Sequence, residues 1–150
     1  MTNRAYRAKL WLNRNYNLNK QVEADQRMLE ILQDRLGNGV AKYESDGSEC
    51  HDSDSARQRH EDTLLEMSQL RERYEREKRQ LVEETAKTRK AISELQDPAQ
   101  RAVAVDRYIN GLKWENIAEL EHVAIAQVYR IHRTMLEQMA TVLENLGGAT

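Results

Sequence analysis

Apolar positions recur every seven residues along the first 36. Trp11, Leu18, Asp25 and Leu32 form one series, and Val22, Leu29 and Leu36 form a second, three or four residues away. Two interleaved series at that offset make the a/d seam of a helix packed lengthwise on another, so residues 5–36 are predicted as one long helix. Asp25 interrupts the seam. Asn13, Asn15, Asn17 and Asn19 are poor helix formers and predict a start or a bend near them. Gly37-Asn38-Gly39 is predicted to end the helix.

Residues 40–56 hold no periodic apolar pattern. Their run from Glu44 to Ser55 is acidic and built of small residues, which predicts a flexible acidic loop over 37–56. A second long helix is predicted from about Ala56 to Leu95. Met67, Leu70, Tyr74, Leu81, Thr88, Ile92 and Leu95 lie near one stripe, and the middle, Arg71 to Arg79, is densely charged. Glu72–Arg76 and Glu75–Arg79 are opposite charges at i,i+4 spacing. Forty helical residues span about 60 Å. So long a helix with so thin a stripe needs a partner, either the first helix in an antiparallel hairpin or another chain.

The last third is punctuated differently. Asp97-Pro98 is a helix start, with Asp at the cap and Pro in the first turn. Ala102, Val105 and Ile109 face one way, and Asn110-Gly111 ends that helix. Trp114 opens a short helix over Glu115–Leu120, a break follows at Glu121-His122-Val123, and a longer helix runs from about Ala124 to Leu146 before Gly147-Gly148. The expectation is an all-α chain: residues 1–95 as a long hairpin or coiled-coil arm, and 96–150 as a three-helix domain.

The last two of these helices carry helix-turn-helix spacing. Two helices that cross steeply need a small residue at closest approach, which Ala118 supplies. With Ile117 as the fourth position of the motif, they also need apolar plugs beneath the turn and on the inner face of the second helix, which Val123, Val128 and Ile131 supply. The outward face of the second helix then shows Ala126, Gln127, Arg130 and Arg133. Gln bonds adenine edges, Arg forks onto guanine or holds phosphate, and Ala touches a thymine methyl.

Asp106-Arg107-Tyr108-Ile109-Asn110-Gly111, Trp114-Glu115-Asn116-Ile117-Ala118 and Val128-Tyr129-Arg130-Ile131-His132 lie within Ile92–Leu136. That stretch resembles the sigma factor region 4-like domain of phage and prophage late-gene regulators of the RinA/ArpU type. More loosely, the resemblance takes in Asn38-Gly39-Val40, Tyr43-Glu44 and the charged second helix. It implies a DNA-binding regulator of phage late transcription. The chain departs from the pattern at Glu121 and His122, where leucine and glycine are usual, at Ala124, where Ser or Thr caps the recognition helix, and at Lys113. Glycine takes up left-handed backbone in such a turn more readily than His122 does.

Charge adds a constraint. The 150 residues carry 23 Lys/Arg and 25 Asp/Glu, net −2, so nucleic-acid binding must rest on local patches. Residues 92–150 hold 5 basic and 8 acidic residues, net −3, whereas the first 22 residues contain Arg4, Arg7, Lys9, Arg14 and Lys20 and no acid. Arg4, Arg7, Lys9 and Arg14 are therefore candidate auxiliary phosphate contacts, with Lys113 beside the second helix of the tail. Trp114, Tyr108 and Tyr129 read as packing residues, and His122 and His132 as surface or interhelical ones.

Other chemistry is thin. The single Cys50 builds no disulfide framework, and Cys50, His51, Asp52 and Asp54 lack a second cluster at zinc or calcium spacing, so no metal or cofactor is expected. No nucleophile–base pair and no phosphate-cradling glycine loop occurs, so the chain is not expected to be an enzyme. No run approaches the roughly 20 apolar residues of a membrane span and no signal peptide opens the chain, which makes a cytoplasmic location the expectation. Double-stranded DNA is the expected partner, with RNA polymerase contact and homo-oligomerisation, a dimer first, as further expectations. The alternatives are a small-terminase-like DNA-packaging adaptor and a helical protein-binding module without DNA affinity.

Overall fold

The computed structural model describes residues 1–45 and 53–147. The fold is all-α, with no strand among the described residues. Helices run α1 (Asn3–Ser45), α2 (Ser53–Ser93), α3 (Pro98–Ala104), a π-turn (Val105–Ile109), α4 (Trp114–Leu120) and α5 (Ile125–Asn145). No described helix is long and apolar enough to cross a membrane. The chain parts into two compact units, Met1–Lys20 with Gln80–Thr150, and Gln21–Arg79. The compact units divide at 20/21 and 79/80, not at the 95/96 boundary expected from sequence.

Three expectations about α1 are corrected. It starts at Asn3 and continues without interruption through Asn13–Asn19, it passes the predicted stop at Gly37-Asn38-Gly39, and it reaches Ser45. A glycine inside a helix costs about 1 kcal/mol, a penalty rather than a block, and Gly37 is not in left-handed backbone. The predicted loop over 37–56 is thus helical at both ends. Its middle, 46–52 with Cys50, His51 and Asp52, lies outside the described residues.

The buried stripe of α1 also differs from the predicted series. In the first unit it follows Ala5, Ala8, Leu12 and Asn15, all within 1% of full burial, and continues to half-buried Asn19. From there it follows Val22, Asp25, Leu29, Leu32 and Leu36. Two successive steps of three, Asn19 to Val22 to Asp25, shift the phase of the stripe where the two units part.

Unit Gln21–Arg79 pairs its two helical segments antiparallel, since Gln21 bonds Glu77 and Asp25 bonds Arg73. The seam interruption at Asp25 is resolved there. Arg73 Nη2 donates to Asp25 Oδ1 at 2.9 Å and its Nε to Oδ2 at 3.4 Å, while Gln21 Nε2 donates to Glu77 Oε1 at 2.7 Å. Burial, then hydrogen bonding to Asp25, pushes the Glu77 carboxyl above its ordinary value. A polar seam position that is satisfied in only one alignment specifies register.

The other unit is built around one core. Ala5, Ala8 and Leu12 of α1 meet Ala91, Ile92 and Leu95 of the α2 end, Ala104 and Tyr108, and Met135, Leu136, Met139 and Ala140 of α5. Asp97 caps α3 as expected, its Oδ1 accepting from Ala99 N at 2.9 Å. The predicted helix over 98–109 is interrupted by the π-turn, in which Asn110 N donates to Val105 O at 2.9 Å. The extra residue turns Tyr108 inward, and Gly111 follows in left-handed backbone at φ 69°. The asparagines of α1 explain how this turn is held. Asn15 Nδ2 donates to Tyr108 O at 2.8 Å and its Oδ1 accepts from Thr85 Oγ1 at 3.1 Å, while Asn19 Nδ2 reaches Ile109 O and Lys20 Nζ reaches Gly111 O. Asn15→Ala is expected to cost roughly 1–3 kcal/mol, because it leaves the buried Tyr108 carbonyl and the half-buried Thr85 hydroxyl without this partner. Urea unfolding checks this, and a midpoint equal to wild type contradicts it.

Candidate nucleic-acid interface

The turn between α4 and α5 is fixed by backbone first. His122 N donates to Glu119 O at 3.3 Å and Val123 N to Ala118 O at 3.0 Å, the two bonds of a Schellman ending. Such an ending needs a left-handed residue at the position of His122, and His122 takes it at φ 57°. The chain therefore adopts the turn without the glycine that suits it best, at the cost of some backbone strain. Ala124 follows in extended backbone as the N-cap of α5 and makes no side-chain capping bond; Lys113 likewise precedes α4.

Beneath the turn, Val103, Ile117, Ala118 and Val128 are buried together, with Leu112, Trp114, Val123 and Ile131 packed against them. The three plugs, Val123, Val128 and Ile131, fall in this one cluster together with Ile117 and the small Ala118. Trp114 seals its edge. Its ring lies 4.5 Å from the His132 ring and 5.6 Å from Tyr129, and the Arg107 guanidinium sits 4.5 Å above it. The second face of Arg107 covers Tyr16 at 4.4 Å, and its Nη1 donates to Leu112 O at 2.9 Å.

His132 joins this cluster to the main core. It is buried, and its Nε2 lies 2.6 Å from the Tyr108 hydroxyl. Burial, helped by the charges of Lys9 and Arg107, pulls the imidazole down to about 4, so it is neutral at pH 7. Burial pushes the Tyr108 phenol up to about 12. A neutral imidazole and a protonated phenol make one bond, whose direction follows from which ring nitrogen carries the proton. Within the π-turn, the buried Asp106 carboxyl is raised to about 6 by burial and then by Glu121, with Asn110 acting in the opposite direction; its Oδ2 has no hydrogen-bond partner.

The outward face of α5 is open. Ala126, Gln127, Arg130 and Arg133 are all exposed, as is Lys113, and Arg130 Nη1 donates to Gln127 Oε1 at 3.3 Å. Ile125 and Tyr129 flank them, partly exposed.

Arg4 lies apart from this face. Arg4 bonds Glu144 through Nε at 2.8 Å and Nη2 at 2.9 Å, and Glu144 is 14 residues beyond Arg130, about 21 Å along α5. Arg14 is paired with Glu84 at 3.0 Å. Arg7 is exposed and Lys9 is half-buried. Arg4 and Arg14 therefore face carboxylates of their own chain. Among the described residues, no group of three or more His, Cys, Asp or Glu side chains is placed to hold a metal ion.

Sequence reasoning missed the anchoring groups: Asn15, Asn19, Lys20, Arg107 and the Tyr108–His132 bond. The recurring asparagines were the available signal, since four of them at alternate positions in a helix invite the question of what they bond. No family model, curated protein or solved structure matches the chain.

Proposed function

We propose that the chain is a DNA-binding transcriptional regulator of phage or prophage type, with α4 and α5 as a helix-turn-helix of the sigma region 4 kind. In this reading α5 enters the major groove and Ala126, Gln127, Arg130 and Arg133 meet base edges and phosphates, with Lys113 on the backbone nearby. The observation that carries it is the pairing of an inward plug cluster with an outward polar face. Ile117, Ala118, Val123, Val128 and Ile131 are packed together while Gln127, Arg130 and Arg133 stand exposed. Late-gene expression in the host cytoplasm, RNA polymerase contact and assembly as a dimer belong to the same reading, and the small-terminase-like adaptor is its nearest relative.

A protein-binding module is the second reading. It is favoured by the net −3 of residues 92–150 and by the carboxylates that already occupy Arg4 and Arg14.

Arg130→Ala with Arg133→Ala is expected to weaken duplex binding at least ten-fold at moderate salt and to flatten its salt dependence, while helicity stays unchanged. Gel shift and circular dichroism test this together. Binding unaltered in the double variant removes α5 from the interface. Absence of any duplex binding by the wild-type chain favours the protein-binding module.

A further inference from the structure

The DNA-binding reading leaves open which bases α5 selects, and one contact on its outward face bears on that. Gln127 and Arg130 are three residues apart, about 4.5 Å along the helix, near the 3.4 Å separation of base pairs. Side chains at that spacing address neighbouring base pairs. These two are bonded to each other, Arg130 Nη1 donating to Gln127 Oε1 at 3.3 Å.

That bond decides what each has left to offer. A primary amide reads adenine with both ends, its oxygen accepting from N6–H and its nitrogen donating to N7. Here the amide oxygen already faces a guanidinium. An adenine amino group approaching the same oxygen meets a second donor that carries positive charge. Gln127 Oε1 keeps a second lone pair, but the guanidinium beside it repels a further donor, so the Nε2 hydrogens are the favoured contacts, and guanine matches them because its N7 and O6 both accept. Arg130 spends one hydrogen of its five and keeps donors enough for a guanine of its own.

We propose that Gln127 and Arg130 act as a coupled pair that reads two adjacent guanines on one strand, with Arg130 setting the base choice of Gln127. The proposal rests on the DNA-binding reading above. Gln127 is the specificity-determining residue, and Arg130 both contacts a base and, by its charge beside Oε1, disfavours the adenine amino group there.

The test selects duplexes from a random pool with the full-length chain, then measures competition by defined duplexes in which each selected guanine is changed to adenine in turn. Wild type is expected to enrich a GG step and to lose on the order of ten-fold when either guanine becomes adenine. Arg130→Ala frees Gln127 Oε1, and the preference at the Gln127 position is expected to move from guanine to adenine. Gln127→Ala is expected to abolish discrimination at that position and leave the neighbouring guanine selected. Should Arg130→Ala bind too weakly to measure, the Gln127→Ala result decides: loss of discrimination at one position supports the pair, and an unchanged profile overturns it. Adenine enriched at the Gln127 position by wild type overturns the pair but leaves DNA binding standing. A pool from which no duplex is retained overturns the DNA-binding reading and the pair with it.

Discussion

Leu12→Ala is expected to destabilise α5 by roughly 2–5 kcal/mol, although more than a hundred residues of chain separate them. Leu12 is fully buried, in one cluster with Met135, Leu136 and Met139 of α5 and with Tyr108 of the π-turn. Truncation removes three carbons from that core and leaves a cavity between elements that share no local sequence. If residues 96–150 folded as a separate domain, the change would be felt in α1 alone. Because the core is common, unfolding of the C-terminal helices is tied to the start of α1. Hydrogen exchange resolves the two cases. The slow amides of α5 between Val128 and Met139 are expected to exchange on the order of a hundred-fold faster in Leu12→Ala, and duplex binding is expected to weaken as the folded fraction falls. Met28→Ala, at an exposed position of the other unit, serves as a control and is expected to shift stability by less than about 0.5 kcal/mol. Exchange of α5 amides at the wild-type rate in Leu12→Ala would show the tail to be independent of α1.

The same shared core explains which parts of the fold were legible in sequence. Local signals held where one residue decides one feature: Asp97 caps α3, Gly111 turns left-handed, and Val123, Val128 and Ile131 pack around the α4–α5 turn with Ile117 and Ala118 as their spacing required. The exposure of Gln127, Arg130 and Arg133 followed from the same spacing. Features set by a distant partner were not legible. Asn15 reads locally as a residue that weakens a helix, and only the carbonyl of Tyr108, 93 positions away, gives it a purpose. Ala5, Ala8 and Leu12 lay outside the predicted series because α1 changes seam phase between Asn19 and Asp25. The π-turn has no sequence signature, since its one-residue insertion is stabilised by bonds from α1 to its final carbonyls. Gly37 shows the opposite error, in which a local stop signal is outweighed by the helix on either side of it.

Asp106→Asn is expected to raise stability at pH 8 and to make the acid side of the stability curve steeper. Two buried groups govern that region with opposite signs. Asp106 is raised from its ordinary 3.8 to about 6 by burial and by Glu121. Its stabilisation is complete below about pH 4 and is lost as pH rises through about 6, since above that the folded state holds a buried carboxylate whose Oδ2 has no donor. His132 is lowered from 6.5 to about 4 by burial, then by Lys9 and Arg107. Its contribution is complete above pH 6.5 and is lost as pH falls through about 4, because burial beside Lys9 and Arg107 disfavours the charged ring. Between pH 6.5 and 4 the two changes oppose each other, so the wild-type curve is flatter than either group alone would make it. Asn at position 106 has no charge to lose and offers an amide hydrogen to Glu121. It adds about 1–2 kcal/mol at pH 8, after allowance for the solvent that reaches the pair, and uncovers the full fall due to His132 below pH 6.5. Urea midpoints measured from pH 4 to pH 8 on wild type and Asp106→Asn should therefore diverge at high pH and converge at low pH. Parallel curves would mean that Asp106 does not titrate in this window. A variant curve lying below wild type at pH 8 would mean that its carboxylate is satisfied by a donor, and that the pair with Glu121 is not under repulsion.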